Sequence, residues 1–334
     1  MRKTLLTILK YIFFLGLGVG IIYYILHKQD STKLINAIKS VNLWLFVPIF
    51  IFGFFSHYFR ALRWKLLLEP LKIHPTTINV TFAVLIGYIA NLVVPRGGEV
   101  AKCTVLAKYE KMPANKMIGT IVAERAFDII CLVIITVITF LLQAGIIGSF
   151  VKKEIWIPMI QKLSDNRIIL VLIILIIAVL IGIAIVLYRR HRETQLGHFL
   201  KGIGHGFSSI IHMKKRWEFI GFTGLIWLCY TLQIYFAFLS MPATHHLSMM
   251  AALSVLIFGS VAMIITPGGL GAYTLFVAQI LLSYNIDEPT AHAFGFVAWA
   301  GQTSIIIVLG IVSLLLIHPY NKKKNVASSA VNRA

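Results

Sequence analysis

Acidic residues are scarce in this chain: 12 Asp and Glu stand against 31 Lys and Arg in 334 residues. Charge of either sign is scarce too, at 13%, while 58% of the residues are hydrophobic. A soluble protein of this length could not cover so much apolar surface, which excludes a water-borne globular enzyme. Cysteine is nearly absent. Cys103, Cys131 and Cys229 lie apart, in or beside apolar segments, which argues against a disulfide framework and for buried thiols. No Walker loop, no nucleophile–base pair and no metal-ligand spacing appears, so no metal and no cofactor are expected. The net charge of +19 follows the loops, which argues against nucleic acid as a partner.

What the chain has is long apolar runs. They fall near 5–26, 43–59, 78–94, 117–142, 168–188, 219–240, 250–266, 270–284 and 291–317. Several exceed the roughly 20 residues that cross a hydrocarbon core as a helix. The fold class is therefore an all-α polytopic membrane protein. The first run follows Arg2-Lys3 but leads into "HKQDSTK" with no small-x-small cleavage site, so it reads as an uncleaved span.

Two runs are broken. The stretch "YIANLVVPRGGEVAKC" at 88–103 breaks at Pro95-Arg96-Gly97-Gly98-Glu99, and a second break lies at Thr266-Pro267-Gly268-Gly269-Leu270-Gly271. If 78–94 crossed fully, the basic loops at 60–77 and 102–116 would lie on opposite sides, against the inside bias of Lys and Arg. Taking both broken runs as re-entrant gives six full spans with both termini cytoplasmic. It puts 22 of the 31 Lys and Arg inside, seven outside, and Arg96 and Arg125 at membrane depth. The two halves, roughly 1–145 and 165–320 of a single domain 1–320, are then one unit in opposite orientations, followed by a basic tail at 321–334. Inverted repeats with Gly/Pro-broken segments at matching places point to a transporter with a midplane site. The plain alternative is a loop between two short spans.

Charges at membrane depth default to functional candidates. Here they are Arg96, Glu99, Glu124, Arg125 and Asp128. Glu124 and Asp128 share a helix face, with Arg125 turned roughly 100° from Glu124. They read either as a polar cavity or as ion pairs, such as Arg96–Glu124 or Arg125–Glu99, that pin the first hairpin to span four. Thr266, Tyr273, Gln279 and Gln302 near the second break read as packing residues. Arg60, Arg63 and Trp64, in "HYFRALRWKLLLEP", read as interface anchors or snorkelling cations. His191, His198, His205 and His212 recur at sevens, about 10 Å apart along a helix and too far to share a metal. Their segment reads as an amphipathic helix on the membrane surface.

The stretch "GYIANLVVPRGGEVAKCTVLAKYEKMPANKMIGTIVAERAFDII" at 87–130 resembles the signature of the lysylphosphatidylglycerol synthase transmembrane, or flippase-like, family. "TPGGLGAYTLFVAQILLSYNIDEPTAHAFGFVAWA" at 266–300 resembles its second signature. The resemblance implies a multi-pass lipid translocator in the cell membrane, with anionic or aminoacylated membrane lipids as partners. Its motif residues fall on Asn91, Pro95, Arg96, Gly98, Glu99, Glu124, Arg125 and Asp128, then Pro267, Gly268, Gly269 and Gly271. Two departures stand out. After Pro319 only "YNKKKNVASSAVNRA" remains, so the soluble aminoacyl-transferring domain is expected to be absent. Tyr273 stands where many relatives carry a glutamate. The expected activity is binding or moving an amphiphile, without catalysis. An integral-membrane enzyme on a lipid-linked substrate, a separate synthase as partner, and a homo-oligomer stay open.

Overall fold

In a computed structural model, the described residues are 30–150 apart from Ile73, Pro95 and Arg96, then 213–331, with isolated positions at 16, 20, 21, 23, 25, 27, 152 and 157. Most of the run at 5–26, the run at 168–188 and the expected amphipathic helix at 191–212 lie outside them. Among the described residues there are helices and turns and no strand. That is the outcome a bilayer enforces on a chain that must satisfy its backbone internally.

The described helices are α1 (Ser31–Lys39), α2 (Phe46–Leu68), α3 (Thr77–Val93), α4 (Gly98–Glu110), α5 (Ala114–Leu142), α6 (Ala144–Phe150), α7 (Arg216–Leu239), α8 (Met249–Ile265), α9 (Ala272–Leu282) and α10 (Glu288–Val331). Four segments are long and apolar enough to cross a membrane: Leu43–Leu71, Met117–Leu142, Arg216–Leu239 and Glu288–Lys324. They coincide with four of the six full spans expected. The polypeptide is a polytopic membrane protein. The shorter apolar helices α3, α8 and α9 belong to the two broken runs.

The chain divides into two compact units: residues 1–121 with 213–334, and residues 122–212. In the first, α2 packs along α7, α3 folds back on α4, α8 folds back on α9, and α10 lies against α3 and α9. Glycines set these approaches. A Cβ at Gly53 would meet Ile305, one at Gly310 would meet Ile89, and one at Gly295 would meet the Thr274 backbone, all within 3.0 Å. In the second unit, α5 exposes Val133, Ile134, Val137 and Ile138, an apolar surface that lipid rather than water can cover.

Two expected boundaries shift. The span placed at 43–59 continues as helix to Leu68, and the basic loop placed at 102–116 is largely α4, which ends at Glu110. Lys and Arg are good helix formers, so the helix continues through them, and those buried at depth find a partner inside the fold. Arg60, Arg63 and Lys102 do so, as the next section describes.

Candidate functional site

The first break is built from the backbone outward. Val94 caps α3 in an extended conformation (φ −128°, ψ 98°), the one favoured for a residue before proline. Pro95 and Arg96 lie outside the described residues. The N–H of Gly97 donates to the Val94 carbonyl at 2.8 Å, and α4 starts at Gly98 with the half-buried Glu99 in its first turn. An acid there suits the positive end of a helix. Asn91 lies one turn before the tip, and its Oδ1 accepts from the Gly98 N–H at 2.8 Å, satisfying one of the orphan donors of α4. Asn91, expected as a cavity ligand, thus commits its carbonyl oxygen to closing the hairpin. A Cβ on Gly98 would fall 2.1 Å from the Gly87 carbonyl oxygen, and one on Gly87 would fall 2.9 Å from that of Gly98. The limbs cross backbone to backbone.

The second break follows the same plan. Thr266 ends α8 in an extended conformation before Pro267, and its hydroxyl donates to the Ala262 carbonyl at 3.1 Å. Gly268, Gly269 and Gly271 take φ of 67°, 69° and 73°, the left-handed region that a side chain disfavours. The indole N–H of Trp299, on α10, donates to the Gly268 carbonyl at 2.8 Å. Tyr273 fills space instead of carrying charge, since a Cβ on Gly259 would lie 2.6 Å from its ring. Gly259 precedes Pro267 by eight residues, as Gly87 precedes Pro95. The second break reaches the first: its turn packs on α3, and a Cβ on Gly268 would lie 4.0 Å from Leu92 Cδ2.

Glu124, Arg125 and Asp128 share α5, within the second unit. Glu124 is 2% exposed and Asp128 half-buried, whereas Arg125 is exposed. The two carboxylates thus occupy the protected face and the guanidinium points off it, as the helical spacing requires. The structure brings Asn91, Gly97, Gly98 and Glu99 together at the first break, and sets Gly268 of the second break beside Leu92 at the end of α3.

Arg60, Arg63 and Trp64, read from the sequence as interface anchors or snorkelling cations, belong instead to a buried polar seam beside these breaks. Arg60 and Arg63 are 6% and 0% exposed, so neither anchors at the interface nor snorkels to water. Arg63 Nη1 donates to Thr223 Oγ1 at 3.3 Å, and Arg60 Nη2 donates to the Tyr230 hydroxyl at 3.2 Å. Lys102, 7% exposed, holds its ammonium 4.3 Å from the centre of the Trp64 ring, a cation–π contact worth about 1 kcal/mol. The Trp64 indole N–H donates to Thr120 Oγ1 at 2.9 Å. The His57 ring lies against Tyr88, with ring centres 4.5 Å apart and planes tilted by 51°. A signal was there to read: "SHYFRALR" puts a histidine and two arginines into a helical run, and at membrane depth each polar residue needs an explanation.

The open end of the first hairpin carries a further network. Glu110 Oε1 accepts from the Thr76 N–H at 3.0 Å, the Thr76 hydroxyl at 2.6 Å and Asn79 Nδ2 at 2.7 Å. Asn79 and Asn321, on α10, exchange reciprocal amide bonds of 2.9 and 2.8 Å, and Lys324 pairs with Glu110 at 3.3 Å. Burial alone would raise the Glu110 carboxyl, but these donors and the Lys324 charge hold it below its ordinary value.

Three comparisons bear on identity. The family model described as "Lysylphosphatidylglycerol synthase TM region" matches residues 8–310. A UPF0104 membrane protein of Methanocaldococcus jannaschii is 24% identical over 340 residues, covering 97% of each chain. A UPF0104 membrane protein of Methanothermobacter thermautotrophicus is 23% identical over 300 residues, covering 83% of this chain and 82% of its own. No solved structure matches the chain. With the matched region spanning both broken hairpins, three of the four long apolar helices and the larger part of the fourth, the chain belongs to the lysylphosphatidylglycerol synthase TM region family of membrane proteins.

Proposed function

We propose that this protein is a lipid translocator of the cell membrane, with both termini cytoplasmic, that takes an amphiphile's headgroup at the meeting breaks while its chains stay in lipid. The observation that carries the reading is the contact between two Pro/Gly-broken helical hairpins of matching plan. Broken helices expose backbone donors and acceptors that lipid cannot satisfy, so they belong at a polar pathway. The start of α4 presents amide donors and partial positive charge toward a phosphate. Arg96 at that break would hold the phosphate, and Glu99 would pair with a cationic headgroup; Glu124 and Asp128, on α5 of the second unit, would pair with cations. The protein acts as a carrier and not as an enzyme.

Purified protein reconstituted with headgroup-labelled phospholipid tests this. An external quencher should extinguish inner-leaflet label at a protein-dependent rate, reduced at least about tenfold by Arg96→Ala or Glu124→Gln. Unchanged flipping in both variants would remove the assigned site. Formation of a new lipid product from lipid and donor would replace a carrier with an enzyme.

A further inference from the structure

His57 lies at the centre of the 29-residue segment Leu43–Leu71, which is long and apolar enough to cross a membrane. It is 1% exposed, and neither ring nitrogen has a hydrogen-bond partner among the described residues. Orphaned buried polar atoms are uncommon enough in folded proteins to need a reason. Two on one imidazole ring are more so.

His57 does not stand alone. One turn further along α2, Arg60 lies over the same Tyr88 ring, 6.0 Å from its centre, and reaches the Tyr230 hydroxyl on α7. One helical turn before His57, a Cβ on Gly53 would lie 3.3 Å from Gln233 Oε1. Gln233 is three residues beyond Tyr230 on α7, 6% exposed, and its Oε1 also has no partner among the described residues. The Gln233 amide is held only by a 3.4 Å bond from Nε2 to the Cys229 carbonyl. Over about two turns of α2, from Gly53 to Arg60, α2 and α7 therefore turn polar side chains into protein, with the Tyr88 ring of α3 against them. All of them belong to the first unit.

The donor and acceptor inventory selects a ligand class. Arg60 and one imidazole N–H are donors, suited to a phosphodiester anion. The other imidazole nitrogen and Gln233 Oε1 are acceptors, and a bare phosphate cannot satisfy them. They require a ligand that also brings an N–H or O–H. We infer that His57, Arg60 and Gln233 form a buried subsite for a phosphodiester whose headgroup carries a hydroxyl or ammonium donor. This deepens the translocator reading and rests on it for the source of the ligand. Because His57 is closed off from the surface, a headgroup reaches it when the α3–α4 hairpin draws back from α2.

Equilibrium retention measured by native mass spectrometry on delipidated protein in detergent is the test. The probes are phosphatidylglycerol and phosphatidylethanolamine, which carry donors, and phosphatidylcholine, whose trimethylammonium has none. The wild type should retain the first two at least about tenfold better, the equivalent of one unpaired buried group. His57→Phe and Gln233→Leu, which keep shape and remove polarity, should each bring the ratio near one; Gln233→Leu should leave phosphatidylcholine retention in place, whereas His57→Phe, which also removes a donor to the phosphate, should weaken it. Arg60→Gln should weaken all three lipids. A wild-type ratio near one, or a ratio preserved in both His57→Phe and Gln233→Leu, overturns the subsite. Gln233→Leu keeps the test decisive if His57→Phe does not fold. Glycerol 3-phosphate added at millimolar concentration separates the sources: displacement of phosphatidylglycerol assigns the subsite to free phosphate esters, and no displacement assigns it to lipid, the ratio supporting the shared chemistry in both cases. A wild type that shows the preference yet moves no lipid refutes the translocator and leaves the subsite standing. One that moves lipid without the preference does the reverse.

Discussion

Replacing Gly98 by alanine should open the first hairpin. The added Cβ would lie 2.1 Å from the Gly87 carbonyl oxygen and 2.6 Å from the Asn91 amide, whereas real Cβ contacts essentially never fall under 3.0 Å. Backbone stands on both sides of the clash, so no side chain can swing away, and the limbs must part by roughly 1 Å in an interior that is close-packed. Overpacking of this kind costs about 1–3 kcal/mol. Parting the limbs also stretches the 2.8 Å bond from Gly98 N–H to Asn91 Oδ1, and a buried N–H left without its acceptor costs about 1–3 kcal/mol more. The expected loss is about 2–6 kcal/mol, or a fall of roughly 4–12 °C in apparent Tm at about 2 °C per kcal/mol for a chain of this size. Thermal melting in detergent reads it, with Gly119→Ala as the control, because a Cβ there meets nothing within 4 Å. The quencher assay on reconstituted protein should show flipping lost in Gly98→Ala and kept in Gly119→Ala. If the two variants melt and flip alike, the limbs do not cross as described and the hairpin site falls with them.

Glu110 gives a pH dependence. Its carboxyl is held below the ordinary value of 4.5, so its stabilisation is present above that pH and is lost as pH falls through the lower folded value. Glu110→Gln should flatten this acid-side loss of Tm while lowering Tm near neutral pH by the equivalent of about 1 kcal/mol, through the weakened bond to Lys324. At the second break, Trp299→Phe removes the donor to the Gly268 carbonyl and should cost about 1–2 kcal/mol. Gly268→Ala should cost a further 1–2 kcal/mol or so, because its φ of 67° is one an L side chain resists. The pair should be sub-additive in melting, since both act on the same turn.

The membrane class was legible because the bilayer imposes it one residue at a time: length and hydropathy of a run suffice, and four long apolar helices lie where the runs do. Both breaks were legible for a similar reason. Proline disfavours the helical conformation in the residue before it, and here, with glycines close behind, Val94 and Thr266 are extended. The glycines of the second break were also readable, their positive φ being a local property. The positions of Arg60, Arg63 and Lys102 were not. As letters they look like loop charges that mark the cytoplasmic side, and charge counting treats them so. Whether a cation at a helix end meets water or protein depends on which neighbour packs there. Here Thr223, Tyr230 and Trp64 provide partners from elsewhere in the fold.

The same distinction separates Asn91 from His57. Asn91 stood out by its motif and turned out to bond Gly98 across the hairpin, while His57 carried no motif and holds the orphaned nitrogens. Sequence alone determined that the chain lives in lipid, that two of its helices break, and that polar residues stand at membrane depth. Those properties follow from transfer free energy and backbone dihedrals, which are local. Only the tertiary structure decided that the two breaks touch and which polar atoms are already satisfied. Hydrogen-bond partnership joins residues as far apart in the chain as Arg60 and Tyr230, and no local pattern encodes it.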